Sequence, residues 1–299
     1  MLHVKVPATS ANLGPGFDCL GIAVQLYNEA WVEIADSISF EVEGEGAGII
    51  PRDESNLFYV SFARFYKEIG KKSLKIAVKQ LNRIPIERGL GGSAATIVGG
   101  LLAASKISGK VLESRQMLEL ATEIEGHPDN VAAALLGGLT VAYRQGERVY
   151  AVSFEPHMSL DALVLIPDYK LSTKRSRSVL PKKVTLSDAV FNLSRVSLLV
   201  GGIIEGKIGL LVEGTKDVLH QPYRTKLLPY FQDTMAILWD LGINTASLSG
   251  AGPSIFAFIE HGAEAAIKDR LNERLKEIGA PYSIMFLEFD TVGGWASTT

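Results

Sequence analysis

The stretch Gly89-Leu90-Gly91-Gly92-Ser93-Ala94-Ala95-Thr96 puts three glycines and a hydroxyl at the mouth of an apolar run. Ala94, Ile97, Val98, Leu101, Leu102 and Ser105 recur there at i, i+3, i+4, i+7, i+8 and i+11, the spacing of a helix with one buried face. Glycine lets backbone N–H groups approach a ligand without a Cβ in the way, and a helix start adds unpaired donors and partial positive charge. Such a loop can cradle a polyphosphate. A glycine turn that only caps a buried helix satisfies the same pattern. Phosphoryl transfer would further need oxygen ligands for Mg²⁺ and a group near the attacking hydroxyl. Ser93 and Glu123 offer the hard oxygens, although Glu123 on its own reads first as a solvated charge near a helix end. Asp129 and Asn130, within His127-Pro128-Asp129-Asn130, fit the second need or an ordinary helix cap. Asn56 reads first as a cap for the helix after it. The segments Leu171–Arg177 and His220–Arg224 carry arginines that could lie on the surface. As a pair they are what a small carboxylate requires, and Asp18 could then face an ammonium. Leu248-Ser249-Gly250-Ala251-Gly252-Pro253-Ser254 is a second glycine turn, able to approach a ligand or merely to bend.

Three patterns mislead. Gly201–Lys207 fits the start of a P-loop, but Ile208 stands where the Mg²⁺-binding hydroxyl belongs, and the stretch continues a helix rather than following a strand. Gly91–Ala95 looks like a hydrolase nucleophile elbow, yet it lacks an apolar strand immediately before it and a nearby His-Gly-Gly segment. His3, His127, His157, His220 and His261 show no zinc-ligand spacing.

The elements that must position these residues alternate along the chain. Leu2–Pro7 predicts a strand running into the polar segment Ala8–Asp18, read as a functional loop. Ala23–Ala35, Ser39–Glu43 and Leu74–Gln80 predict strands, with an aromatic-faced helix after Asn56. After the helix at Ser93 come one with Met117, Leu120, Ala121 and Ile124 inward, another from His127, and a hairpin over Leu139–Tyr143 and Val149–Phe154. The second half predicts strands at Asp161–Pro167, Ser254–Glu260 and Ser283–Phe289. Its helices fall at Leu186–Glu205, Lys226–Leu241 and Ala263–Ile278. This is an α+β pattern of sheets covered by helices, divided near Glu155-Pro156 into domains 1–155 and 156–299 with a shared cleft. The tail after Asp290 reads as frayed.

The whole chain sets outer bounds. Its 299 residues are 47% hydrophobic and 21% charged, an ordinary globular composition. The net charge of −3 makes no electrostatic case for nucleic acid or an anionic membrane. Cys19 is the single cysteine, which excludes an internal disulfide and suits a reducing cytosol. The N-terminus lacks a signal-peptide core, and apolar runs such as Ser197–Ile204 fall short of a membrane span.

Three ordered blocks resemble the GHMP kinases: Pro7–Asp18, Arg88–Ala95 and Leu248–Ser254. Within that family, His127–Asn130 and the Thr173, Arg177 and Arg224 pieces are most similar to the branch that phosphorylates homoserine. The resemblance covers nearly the whole chain. It implies an N-terminal ribosomal-S5-domain-2-like domain and a C-terminal ferredoxin-like domain, with ATP and acceptor between them. The implied enzyme is a cytoplasmic one that moves the γ-phosphoryl of MgATP to the side-chain hydroxyl of L-homoserine, towards threonine synthesis. Carried over by position, Arg88, Gly89, Leu90, Gly91, Gly92, Ser93, Ala94, Ala95 and Thr96 bind the ATP phosphates. Ser93 and Glu123 hold Mg²⁺, and Asn56 lies at the adenine side. Asn12, Asp18, His127, Asn130, Thr173, Arg177, Arg224 and Gly252 line the acceptor, with Asp129 and Asn130 as the catalytic pair. Whether Asp129 removes a proton or only positions the hydroxyl stays open, as does a homodimer. Gly92 stands where many members carry serine.

Overall fold

The computed structural model describes residues 1–298. Two strands, β1 (Leu2–Asn12) and β2 (Gly16–Ile34), are antiparallel over most of their length and form the spine of a seven-stranded sheet. Their pairing slips between Pro7 and Ala8 and again between Ala11 and Asn12. Such slips bend a strand and re-aim its side chains. The polar segment Ala8–Asp18 is therefore mostly strand rather than loop: β1 runs through Asn12, and only residues 13–15 turn. β3 (Ser39–Gly44) lies parallel to β4 (Ile76–Asn82), which pairs with β2.

Helices cover one face of this sheet. They are α1 (Leu57–Glu68), α2 (Gly92–Ser108), α3 (Ser114–Glu125) and α4 (Asp129–Leu136). α1 buries Phe58, Phe62, Phe65 and Tyr66, the aromatic face that its periodicity predicts. α2 can lie close against it because Gly100 has no side chain: a Cβ there would stand 2.3 Å from the Phe58 carbonyl oxygen. The hairpin of β5 (Leu139–Gln145) and β6 (Arg148–Phe154) extends the sheet from β2.

The second half builds a four-stranded antiparallel sheet. β7 (Leu160–Pro167) is followed by α5 (Thr173–Ser178), α6 (Leu186–Glu205), α7 (Ile208–Gly214), α8 (Gln221–Arg224) and α9 (Phe231–Asp240). Then come β8 (Ala246–Leu248), β9 (Ile255–Glu260), α10 (Glu264–Glu277) and β10 (Tyr282–Leu287). The spatial order β10-β7-β9-β8 is the 4-1-3-2 order of a ferredoxin-like sheet. The helix predicted over Lys226–Leu241 is broken: a 3₁₀ turn at Thr225–Leu227 and an extended Leu228 precede α9.

Two further expectations need correction. The last strand, β11 (Trp295–Thr298), crosses back and pairs with β1, so residues 295–298 are not frayed and the last strand belongs to the first sheet. Asp290 anchors the approach by accepting from the Val292 and Gly293 N–H groups and the Tyr27 hydroxyl. α6, with boundaries as predicted, is long and apolar enough by length and composition to cross a membrane, more so than the run Ser197–Ile204 suggests. In this fold it is a covering helix. Asn192, Leu199, Gly202 and Ile203 turn inward, and the Asn192 amide donates to the Pro15 carbonyl. One apolar core takes residues from both halves, including Val98 and Ala132 of the first and Val164 and Phe256 of the second, and a second core, with Leu163, Leu238, Ile255 and Leu271, lies within the second half.

Candidate active site

The glycine loop closes one wall of a cavity of about 300 Å³ between the two halves. Gly91 is the N-cap of α2 at φ 68°, a left-handed conformation that L side chains rarely adopt. A Cβ there would come 1.9 Å from Thr9 Oγ1. The strand β1 fixes the loop, since the Thr9 N–H donates to the Leu90 carbonyl at 3.1 Å. The third block fixes it from the other side. Ser249 Oγ donates to the Gly89 carbonyl at 2.6 Å, so Ser10 supplies the proton of the 2.9 Å Ser10–Ser249 hydroxyl contact. The Gly250 N–H donates to the Ala11 carbonyl, and Asn12 Nδ2 donates to the Gly250 carbonyl. The three sequence blocks thus meet as one hydrogen-bonded unit. Residues Arg88 to Ser93 line the cavity, and α2 begins there with its free N–H groups. Ala95 and Thr96 do not. The Ala95 N–H is spent on the Gly91 carbonyl, and the Thr96 hydroxyl on the Gly92 carbonyl. Ala94 has its side chain in the core and can offer only its backbone.

Ser93 Oγ lies 2.6 and 2.7 Å from the two carboxylate oxygens of Glu125, not beside Glu123. Glu123 forks instead with Arg64 of α1, outside the cavity. Two residues along a helix are about 200° apart around it, so one of the pair had to face away. Glu125 continues the inward stripe Met117–Ala121, a signal that the sequence does contain. Burial raises the Glu125 carboxyl above its ordinary value, with the Ser93 hydroxyl pulling the other way. Asn56 is also displaced from its expected place. It is fully buried as the N-cap of α1, accepting from the Phe58 N–H and donating to the Pro51 carbonyl and Gln80 Oε1. Its side-chain amide serves these three partners and does not line the cavity.

The opposite wall holds the charged groups. Asp129, at the first turn of α4, is buried and lines the cavity. Its Oδ1 accepts from the Asn130 N–H at 2.7 Å and from His127 Nδ1 at 2.9 Å, and no hydrogen bond among the described residues uses Oδ2. Burial opposes protonation of His127, but the carboxylates of Asp129 and Glu125 outweigh it and raise its pKa. Asn130 Oδ1 accepts from the Thr9 hydroxyl, tying α4 to β1. Asp18, at φ 57°, receives both terminal nitrogens of Arg177 at 2.9 and 2.6 Å. The two charges expected to meet opposite ends of a substrate therefore meet each other. Arg224 is 1% exposed and forms no ion pair among the described residues. Burial, and then the neighbouring Arg177, lower its pKa to about 10. Thr173, Gly252 and Asn12 complete this wall with Leu171 and Gly250 of the segments singled out in the sequence, and Ile86, which carries no sequence signal, lies beside them. Gly201–Lys207, the false P-loop, sits at the C-terminal end of α6, where a helix repels anions.

A two-domain α+β cleft thus carries a glycine-bounded helix start on one wall and two arginines with buried Asp129 on the other. Comparison with known proteins gives its family. Residues 56–138 match the GHMP kinases N terminal domain, and residues 200–277 match GHMP kinases C terminal. The chain belongs to the GHMP kinase family. It is 42% identical to a homoserine kinase of Desulfitobacterium hafniense over 98% of this chain and 99% of that one. It is 45% identical to a homoserine kinase of Caldanaerobacter subterraneus subsp. tengcongensis over 94% of this chain and 88% of that one. Its fold superposes on a crystal structure of homoserine kinase from Cytophaga hutchinsonii with a TM-score of 0.87 at 29% identity, covering 99% and 97% of the two chains.

Proposed function

We propose that the protein is an ATP-dependent homoserine kinase, transferring the γ-phosphoryl group of ATP to the side-chain hydroxyl of L-homoserine to give O-phospho-L-homoserine. One observation carries the reading. A single cavity joins an anion-binding loop to Asp18, Arg177 and the buried, carboxylate-free Arg224. That wall suits a small zwitterion, with Arg224 and Arg177 on its carboxylate and Asp18 on its ammonium. We assign the loop from Arg88 to Ser93, with the Ala94 N–H, to the phosphates. Mg²⁺ is assigned to Ser93 and Glu125, a hydroxyl and a carboxylate already in contact. Two protein oxygens fit this ion, which keeps waters and phosphate oxygens for its other positions. When bound, it neutralises charge on the transferring phosphoryl group.

The acceptor hydroxyl oxygen forms a bond to the γ-phosphorus as the bond to the β,γ-bridging oxygen breaks, releasing ADP. Most of the acceleration comes from holding these atoms in line, because the transition state is loose and little proton removal is needed early. Asn130 and Asp129 orient the hydroxyl, with Asp129 Oδ2 open to accept its proton. His127 fixes the Asp129 carboxylate through Oδ1. We divide the chain near residue 155 into a phosphate-binding and an acceptor-binding half, with β11 returned to the first, and we place the enzyme in the cytosol. An assay of purified protein with MgATP against a panel of small amino-acid and isoprenoid alcohols tests the reading. Phosphohomoserine is the expected product. Turnover of another alcohol with none of homoserine would overturn the substrate assignment.

A further inference from the structure

Behind Arg224, away from the cavity, stands a histidine with a defined protonation state. His220 is fully buried, and its Nε2 lies 2.6 Å from the Gly14 carbonyl oxygen. A carbonyl only accepts, so Nε2 carries a hydrogen. Its Nδ1 lies 3.3 Å from Arg224 Nη1. A guanidinium only donates, so Nδ1 carries a lone pair. Only the neutral Nε2–H tautomer satisfies both contacts. Asp217, whose Oδ2 is 3.6 Å from Nε2, has its carboxylate occupied by the backbone N–H groups of Leu219, His220 and Gln221 and by the Asn192 amide. The ring of Phe17 lies against both side chains, 5.2 Å from the imidazole and 5.0 Å from the guanidinium carbon.

The other partners of Arg224 are neutral too. Nη1 also donates to the Gly250 carbonyl at 3.1 Å, and Nε reaches the Ser176 carbonyl at 3.4 Å. The guanidinium is thus fixed on two carbonyls and one imidazole, without a counter-ion among them. Neutral acceptors hold its direction and leave its charge unspent. An acidic side chain in place of His220 would hold the same nitrogen and discharge it.

We infer that His220 is a positioning residue for acceptor recognition, a neutral hydrogen-bond acceptor that aims the Arg224 guanidinium into the cavity while keeping its positive charge available for the substrate carboxylate. His220 does not line the cavity, so it acts through Arg224 alone. The link also crosses between the halves, since Gly14 belongs to the turn between β1 and β2 and Arg224 to α8. This inference rests on the homoserine reading of the same cavity.

The test is steady-state kinetics of His220→Asn, His220→Leu and His220→Asp, with L-homoserine and ATP varied separately. Asn can return a neutral acceptor near the position of Nδ1, Leu removes it, and Asp replaces it with a charged one. Losing a hydrogen bond to a charged group should raise the homoserine KM about tenfold or more in the Leu variant, with the ATP KM within about twofold. Asn should recover most of that loss, and Asp should be at least as poor as Leu. A folded Leu variant with an unchanged homoserine KM overturns the inference. So does an Asn variant no better than Leu, which would mean that ring packing alone matters. If Asp does not fold, the Asn–Leu comparison decides alone. Absence of homoserine turnover by the unaltered protein would overturn the underlying reading, and this inference with it. Turnover with flat His220 kinetics would overturn the inference only.

Discussion

Replacing Asp18 by Asn separates the two halves of the proposed zwitterion contact, because the resting site already contains their mutual ion pair. The Asp18–Arg177 fork has contacts of 2.9 and 2.6 Å. Its side chains are 34% and 36% exposed, so solvent screens it in part. A value of ~1–2 kcal/mol is reasonable, between an exposed pair and a buried charge-assisted bond. Any carboxylate that takes Arg177 must first break this fork. An ammonium that reaches Asp18 regains ~1.5–3 kcal/mol. In Asp18→Asn the fork is gone before substrate arrives, and the ammonium contact is weakened. Homoserine should then lose the difference, about 0–2 kcal/mol, or up to roughly thirtyfold in kcat/KM. Its analogue 4-hydroxybutyrate, which keeps the carboxylate and hydroxyl but lacks the ammonium, should gain ~1–2 kcal/mol, or about five- to thirtyfold. The preference for homoserine over the analogue should fall by about ten- to a hundredfold, whatever the fork is worth, because its cost is common to both. The assay is competition between the two acceptors at fixed MgATP with both phosphorylated products quantified. Equal losses for both, which leave the preference unchanged, would refute the assignment of Asp18 to the ammonium, and an analogue that does not improve would refute the cost assigned to the fork.

Three further outcomes follow from the geometry. Glu125→Gln should lower kcat/KM by about a hundredfold and shift the Mg²⁺ requirement upward, whereas Glu123→Gln should stay within about threefold, since it loses only a surface pair with Arg64; Mg²⁺ titrations of the two variants check this, and the reverse ranking would restore Glu123. Asp129→Asn should lower kcat by about a hundredfold with little change in either KM, because positioning dominates a loose transition state; a loss near 10⁴-fold in pre-steady-state rates would establish a proton acceptor. Gly91→Ala forces a side chain into left-handed backbone and towards Thr9 Oγ1, so urea unfolding should show a loss of about 2–4 kcal/mol, and unchanged stability would show that the loop relaxes freely.

Much of this site is legible before folding because its parts are local. The glycines ahead of Ser93, the buried stripe of α2 and the aromatic face of α1 follow from residue type and helical period. The boundaries of α6 follow from Thr185 and Asp188, which cap its start, and from Gly206, which ends it. Glu123 and Asn56 lie away from the cavity for different reasons. Glu123 and Glu125 differ by orientation around one helix, which a pattern count at the C-terminal turn leaves unresolved although the stripe from Met117 contains the answer. Asn56 is a different case. Its side chain is consumed by Phe58, Pro51 and Gln80, and the contact with Gln80 exists only because β4 passes beneath the helix start. The tail was misread because polarity suggests fraying, whereas pairing with β1 depends on a sheet edge far away in sequence.

The sequence by itself determined the chemical inventory and the local elements: a glycine-bounded helix start, carboxylates and hydroxyls near it, two arginine segments and three ordered blocks of one family. Tertiary structure alone decided how they combine. Ser249 and Gly250 of the third block meet the loop and β1 across more than 150 positions of chain, Arg177 closes on Asp18, and the His220 ring is fixed on the Gly14 carbonyl. Helical period and turn chemistry are short-range properties written in neighbouring residues. Which carboxylate meets which cation depends on how the two sheets pack across the core they share, and that is a property of the whole chain.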